Sequence, residues 1–234
     1  MKPTPLAHLS SLVLLCTLTA LRADEAAKWY RGNTHTHTLW SDGNQLPELA
    51  AGWYESNGYD FLVLSDHNVL SRGDKWADVT KIEEQHKVID QVRQRFGEKA
   101  VTTKEENGKI LVKLKTLEEI RAMLCKPGKF LMIEGDEITG NHGHRPAHAN
   151  AINIERCILP AKGETMAEQL AAYATEVKEH GRKIGKPVFM HINHPNWKFS
   201  NTAEEVAAAR DADGVEIMNP HCCLLYTSPS PRDP

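Results

Sequence analysis

Residues 60–67 read Asp-Phe-Leu-Val-Leu-Ser-Asp-His, a short apolar run that ends in an acid and an imidazole. Such a run is the pattern of a strand buried on both faces, as in a parallel sheet. The arrangement recurs along the chain. Lys28–His37 reads as a first strand and ends in His35 and His37. Lys129–Ile138 reads as a strand carrying FLMIEGD, with Glu137 following. Pro187–His194 is a strand that stops at His194, because Pro195 cannot donate to a ladder. Ligand-type side chains fall where the apolar strands end.

Helical stretches separate these strands. Pro47–Gly58, Asp78–Phe96, Leu117–Cys125, Met166–His180 and Ala203–Ala209 read as helices, with Thr116 and Thr202 as caps. Ala100–Lys115 reads as a hairpin about Asn107-Gly108, a strong short turn signal. Ala147–Ile154 and Gly214–Met218 read as further strands. Alternation of this kind predicts an α/β fold with a parallel sheet and outer helices, an incomplete β/α barrel. Chemistry in such barrels sits at the C-terminal ends of the strands.

His35 and His37 lie two residues apart, so a strand presents both rings on one face. Asp42 follows in a Ser-Asp-Gly turn that Gly43 permits. His67 is the next candidate ligand. Asp66 beside it either orients a histidine from behind or caps the following loop. A glutamate at 137 can bridge two cations, and Glu134 and Asp136 compete for that role. In HGHRPAH, His148 opens an extended segment and is the candidate ligand; His142 and His144 read as solvated loop residues. On a regular strand His191 and His194 face opposite sides. His194 is the candidate ligand, and His191 packs inside or assists the ligands. Arg145 is a candidate to hold a phosphate through paired donors, or else a surface arginine. Imidazole and carboxylate without thiolate suit Zn, Mn or Fe. The catalytic candidates are therefore Asp66, Arg145 and His191. The metal candidates are His35, His37, Asp42, His67, Glu137, His148 and His194.

The 234-residue chain is 41% hydrophobic and 25% charged, ordinary for a globular domain. A net charge of −3 with no basic patch gives no reason to expect a nucleic-acid polymer as partner. Five cysteines without a CxxC pair argue against a cysteine zinc site, and Cys125 and Cys157 either pair or remain thiols. Leu9–Leu21 is an apolar stretch too short to span a bilayer, which predicts an export signal over residues 1–23 and no stable membrane anchor. The expected location is periplasmic or secreted. After His221 the sequence changes character, and CCLLYTSPSPRDP reads as a non-native tail over 222–234, or as a disordered Pro/Ser segment.

NTHTHTLWSDG, VLSDHN, GDEIT, HANAIN and NHPNW together resemble the successive motifs of the polymerase-and-histidinol-phosphatase (PHP) superfamily, across Tyr30–His221. The resemblance implies a distorted (β/α)7-type barrel, incomplete here at its C-terminal end, over residues 24–221. It implies a trinuclear metal centre with Glu137 as bridging carboxylate, and hydrolysis of a small phosphorylated substrate. It also implies a closing motif with an aspartate and a histidine; VEIMNPH precedes the place where that motif is expected. The expected activity is that of a metal-dependent phosphoesterase with two or three divalent ions per full-length chain. The alternatives are a metal hydrolase acting on another bond, such as a cyclic amide, and a non-catalytic module that binds an anion or glycan. Oligomeric state is not legible in the sequence.

Overall fold

The computed structural model describes residues 27–80 and 85–219, the side chains of 85 and 86 excepted. The expected signal segment and tail, with Cys16, Cys222, Cys223, His8 and His221, lie outside the described residues, as does the His86 side chain.

The elements in chain order are β1 (Gly32–Asn33), α1 (Pro47–Ser56), β2 (Phe61–Leu64), β3 (Trp76–Asp78), α2 (Gln85–Phe96), β4 (Thr103–Glu106), β5 (Lys109–Lys113), α3 (Leu117–Leu124), β6 (Leu131–His142), β7 (Arg145–Ile152), α4 (Met166–Ile184), β8 (Phe189–Ile192), α5 (Ala203–Ala208) and β9 (Gly214–Val215). Six strands form the main sheet in the order β1-β2-β6-β7-β8-β9. It is parallel except at β7, which runs antiparallel to both β6 and β8. The expectation of a wholly parallel sheet is corrected at that strand. The reason is a tight turn at Gly143-His144, which folds β6 directly back as β7 and leaves no room for a crossover helix. The sheet also curls. Asn150 of β7 donates to the Thr34 carbonyl beyond β1 at 2.7 Å, and His35 lies 3.1 Å from Glu216 beyond β9. Its two margins are thereby drawn towards each other across a polar interior.

Alternation along each strand sorts residues between that interior and the outer helices. On β2, Leu62 and Leu64 pack with α1 and α3 residues such as Ala51, Leu117 and Ile120, whereas Val63 faces Gly135 of β6. On β7, Ala147, Ala149 and Ala151 are fully buried against Leu170, Tyr173, Ala174 and Val177 of α4. The intervening His148 and Asn150 point inward. Small alanines allow α4 to lie close to the sheet. That helix carries a capping box at Thr165 and Glu168, and ends at Gly185, whose φ of 65° is the left-handed region that glycine adopts without strain.

The smaller sheet has the order β3-β5-β4 and is antiparallel. Asn107 and Gly108 both have positive φ, as the expected hairpin turn requires. Val112 and Leu114 pack with Trp40, Leu46, Val88 and Val92, joining this sheet and α2 to the loop after β1. Asp78 closes β3, so it does not begin a helix; the described part of α2 starts at Gln85. The first strand is also shorter than expected: only Gly32–Asn33 forms a ladder, and the histidines beyond it stand on an irregular segment tied to the end of β2 by the Ser65 N–H bond to the Thr36 carbonyl at 3.0 Å.

Candidate metal centre

One end of the curled sheet holds a cavity of about 410 Å³ lined by His35, His37, Asp42, His67, Glu137, His148 and His194, together with Thr139, Trp197 and Asn219. All seven candidate metal ligands thus meet. Their donor atoms form three overlapping groups with geometry suited to cations: His35, His37 and Glu137; His37, Asp42 and His67; Glu137, His148 and His194. Within each group the donors lie within 4.8 Å of one another. Glu137 belongs to two groups and His37 to two.

Glu137 is fully buried at the focus. Its Oε1 lies 3.3 Å from both His148 Nδ1 and His194 Nε2, and 3.4 Å from His35 Nε2. Its Oε2 lies 2.7 Å from His67 Nδ1 and 3.0 Å from His37 Nε2. Burial alone would raise this carboxyl's pKa, but the imidazoles of His148, His194, His35 and His37 outweigh it and hold the group ionised, far below the usual range. Oε2 nonetheless has no hydrogen bond of sound geometry, nor do the buried His148 Nδ1 and His194 Nδ1. Buried acceptors left unmatched are costly. Cations at this point would satisfy Glu137 Oε2 and His148 Nδ1, though not His194 Nδ1, whose ring turns Nε2 to Glu137, and the imidazole–carboxylate donor set fits divalent cations.

Local structure explains the convergence. His35 and His37 share one face, while the backbone N–H of Thr36 donates to Ser65 Oγ at 2.9 Å and fixes the segment beside β2. Gly43 lies against this segment: a Cβ there would sit 2.6 Å from His37 C and Thr38 N. Close approach, rather than an unusual φ, is what requires glycine. Asp66 is buried and takes bonds from Thr38 N at 2.7 Å, Thr38 Oγ1 at 2.9 Å and Ser41 Oγ at 2.6 Å. Its role is to hold the turn that carries His37 and Asp42; it makes no bond to His67. Burial raises its pKa despite these donors.

Glu137 does not end its strand. β6 continues to His142, with Gly135, Glu137 and Thr139 inward and Glu134, Asp136 and Ile138 outward. Glu134 is thereby paired with Arg72 Nε at 2.7 Å, and Asp136 accepts Ile158 N at 2.9 Å. His148 stands near the beginning of β7, not at a strand's end. Because β7 runs the opposite way, its beginning lies at the same mouth as the ends of its neighbours. His191 and His194 depart from the expected opposition. The strand stops at Ile192, and His194 adopts a φ of 26°. That break turns its ring to Glu137, while His191 is buried inside, 3.1 Å from Thr34 Oγ1. Burial lowers the pKa of His191, as does the charge of His35.

Arg145 is engaged elsewhere. Both ends of its guanidinium donate to Glu205, at 2.9 and 2.7 Å, a bidentate pair that ties β7 to α5. Among the described residues, no lysine or arginine lines the cavity. Cys125 and Cys157 are both free thiols. The loop over residues 196–201 contributes Trp197 to the cavity wall; its ring centroid lies 5.1 Å from that of His194 and 5.8 Å from that of His148.

Two residues gained no role from the sequence. Glu216 lies 3.1 Å from His35 Nδ1 and accepts the backbone N–H of His194 at 2.9 Å, so it orients two candidate ligands from behind. Burial opposes a charged His35, but Glu137 and Glu216 outweigh it and raise its pKa to about 9. Asn193, fully buried, donates to Glu137 Oε1 at 2.7 Å and to Asn150 Oδ1 at 2.8 Å. The strand-end pattern that picked out His194 also marks Asn193 and Glu216.

Fold and site together define a mixed α/β half-barrel with a histidine–carboxylate cluster at its mouth. No family model and no curated protein matches the chain. Solved structures that are similar to it include the following two. One is a two-domain protein from Bacteroides vulgatus containing a predicted PHP-like metal-dependent phosphoesterase, with 19% identity and a TM-score of 0.42 over 83% of this chain. The chain spans about half of that protein, 48% of its length. The other is from Bifidobacterium adolescentis, where assignment as a metal-dependent phosphoesterase is likewise a prediction; identity is 13% and the TM-score 0.42, over 84% of this chain and 82% of that one. Among the described residues, no helix is long and apolar enough to cross a membrane.

Proposed function

We propose that this chain carries the metal centre of a multinuclear, metal-dependent phosphoesterase acting on a small phosphorylated substrate. The observation that carries the reading is Glu137: a buried carboxylate with five imidazole nitrogens within 3.4 Å of its two oxygens, and no hydrogen bond of sound geometry to Oε2. An arrangement of that kind serves to be shared between cations. Two or three divalent ions, Zn, Mn or Fe, suit the three donor groups. Such ions lower the pKa of water towards neutrality and neutralise the oxygens of a phosphate.

The chain's own residues do the remaining work. Glu216 holds His35 so that Nε2 faces the cavity. Asp66 keeps His37 and Asp42 on one turn. Asn193 fixes one oxygen of Glu137. Trp197 forms an apolar wall that limits water at one side of the cavity. Among the described residues no lysine or arginine lines the cavity, so a bound phosphate would rely on the cations for its charge balance.

The test is direct. Elemental analysis of the purified chain should find more than one divalent ion per molecule, and the Mn- or Zn-loaded protein should hydrolyse phenyl phosphate. His37→Ala and Glu137→Ala should each lose at least about a hundredfold in kcat/KM, the equivalent of roughly 3 kcal/mol. Undiminished rates in both variants would refute the proposal.

A further inference from the structure

Six non-glycine residues among those described have a positive φ, and four of them are asparagine or histidine, types that take the left-handed region comparatively readily. The other two are neighbours, Lys198 at 52° and Phe199 at 51°. Both stand in the turn that carries Trp197, a wall of the metal centre. That turn is pinned from within. Trp197 N–H donates to the His194 carbonyl at 2.9 Å, Ser200 N–H to the Trp197 carbonyl at 3.0 Å, and Asn201 N–H to the Pro195 carbonyl at 3.0 Å. Ser200, 1% exposed, adds a bond from Oγ to the Pro195 carbonyl at 3.1 Å. Backbone strain persists where its surroundings over-determine it, and it gathers at ligand clamps.

The turn sets Lys198 Nζ over the Trp197 ring, 4.3 Å from its centroid. The same ring lies 5.1 Å from that of His194, so one indole separates the ammonium from a candidate metal ligand. Lys198 is exposed, and among the described residues it forms no ion pair. Arg145, by contrast, is already matched by Glu205. An indole face attracts an ammonium through its quadrupole but carries no net charge, so the charge of Lys198 is held in place and left uncompensated. We propose that Lys198 is a specificity-determining residue of the metal centre, selecting substrates that carry a second anionic group beyond the phosphoryl group. The phosphoryl group rests at the cations, and the flexible lysine stem carries the ammonium from the indole to the second anion at the rim of the cavity. Seating a scissile phosphate at the cations rests on the phosphoesterase reading; recognition of the second anion does not.

Calorimetric binding tests this without any turnover. Phenylphosphonate and 4-phosphonobenzoate differ by one carboxylate, and their P–C bonds resist hydrolysis. Each is titrated into the Mn-loaded chain at low salt. The parent chain should bind 4-phosphonobenzoate about fivefold more tightly, the upper end for a solvent-exposed ion pair. In Lys198→Gln the ratio of the two affinities should fall to about one, and Lys198→Arg should keep it. Glutamine and arginine meet the same backbone cost as lysine at a φ of 52°, so the comparison isolates charge. Raising the salt should shrink the preference, as screening requires. A parent chain without the preference, a preference that survives Lys198→Gln, or failure of both compounds to bind would overturn the proposal. The expected ratios in a loaded chain that leaves phenyl phosphate intact would uphold Lys198 and remove the phosphoesterase reading alone.

Discussion

A Cβ on residue 43 would meet the backbone of His37 and Thr38 at 2.6 Å, and backbone cannot rotate away. Gly43→Ala should therefore push the His37–Asp42 turn off its position. The expected cost is about 1–3 kcal/mol of stability from overpacking. Loss of metal should accompany it, measured as a drop in bound ions after dialysis. Glu216→Gln asks a different question. It keeps the shape, removes the charge behind His35 and weakens the hold on the His194 backbone. Metal affinity should fall by roughly 10–100-fold, as it does when partners of ligating histidines are removed. Competition with a chelator measures this; the metal-free chain should also lose some thermal stability near pH 7, where Glu216 pairs with the charged His35. At this scale the sequence was most legible where a residue type is rare in its setting: paired histidines, an acid after an apolar run. It was least legible for Asp66 and Arg145, whose partners are 25 to 60 residues away and leave no local trace.

Among the elements, the helices that follow Thr116 and Thr202 are legible because capping is a local signal, whereas Asp78, expected to open a helix, belongs to β3. Thr116, Thr165 and Thr202 each form a complete capping box with the glutamate three residues on. Thr165→Ala should cost about 1 kcal/mol, since one orphan N–H of α4 loses its acceptor. Chemical denaturation gives the value, and the midpoint should move with the slope unaltered. A result within error of zero would mean that α4 is held by its packing on β7 and β8 alone. Strands were read less faithfully. Pairing direction is set by the connection, and a two-residue turn between two long extended runs has the same polar, glycine-containing composition as a solvated loop. Its consequence, the antiparallel β7, was therefore missed. So was the small sheet's third strand, because Trp76–Asp78 gains its strand character only from pairing with β5.

At the level of the whole molecule, buried charge links stability to pH. Glu48, in the first turn of α1, is 1% exposed, and its Oε2 has no hydrogen-bond partner. Burial raises its pKa from 4.5 to about 7. The folded state thus retains a proton that the unfolded chain releases, so stability falls as pH climbs from about 4.5 to 7 and levels above that. Glu48→Gln should be neutral near pH 4 and stabilising at pH 8, by about 1–3 kcal/mol given 1.36 kcal/mol per pKa unit. Thermal melts at both pH values check it; equal stabilisation at both would mean that packing, not ionisation, sets the difference.

The tight hairpin of β6 and β7 links two parts of the centre. Thr139 stands opposite His148, and Glu137 opposite Asn150, in a ladder counted from the His142–Arg145 pair. Strand side chains have a period of two, so sliding β7 by a single position would turn His148 and Asn150 towards α4 and drive three alanines into the polar mouth. The donor set around Glu137 is in this way slaved to the length of one short turn: an insertion at Gly143-His144 is harmless if it bulges outward, and abolishes the group of Glu137, His148 and His194 if it is absorbed into the ladder.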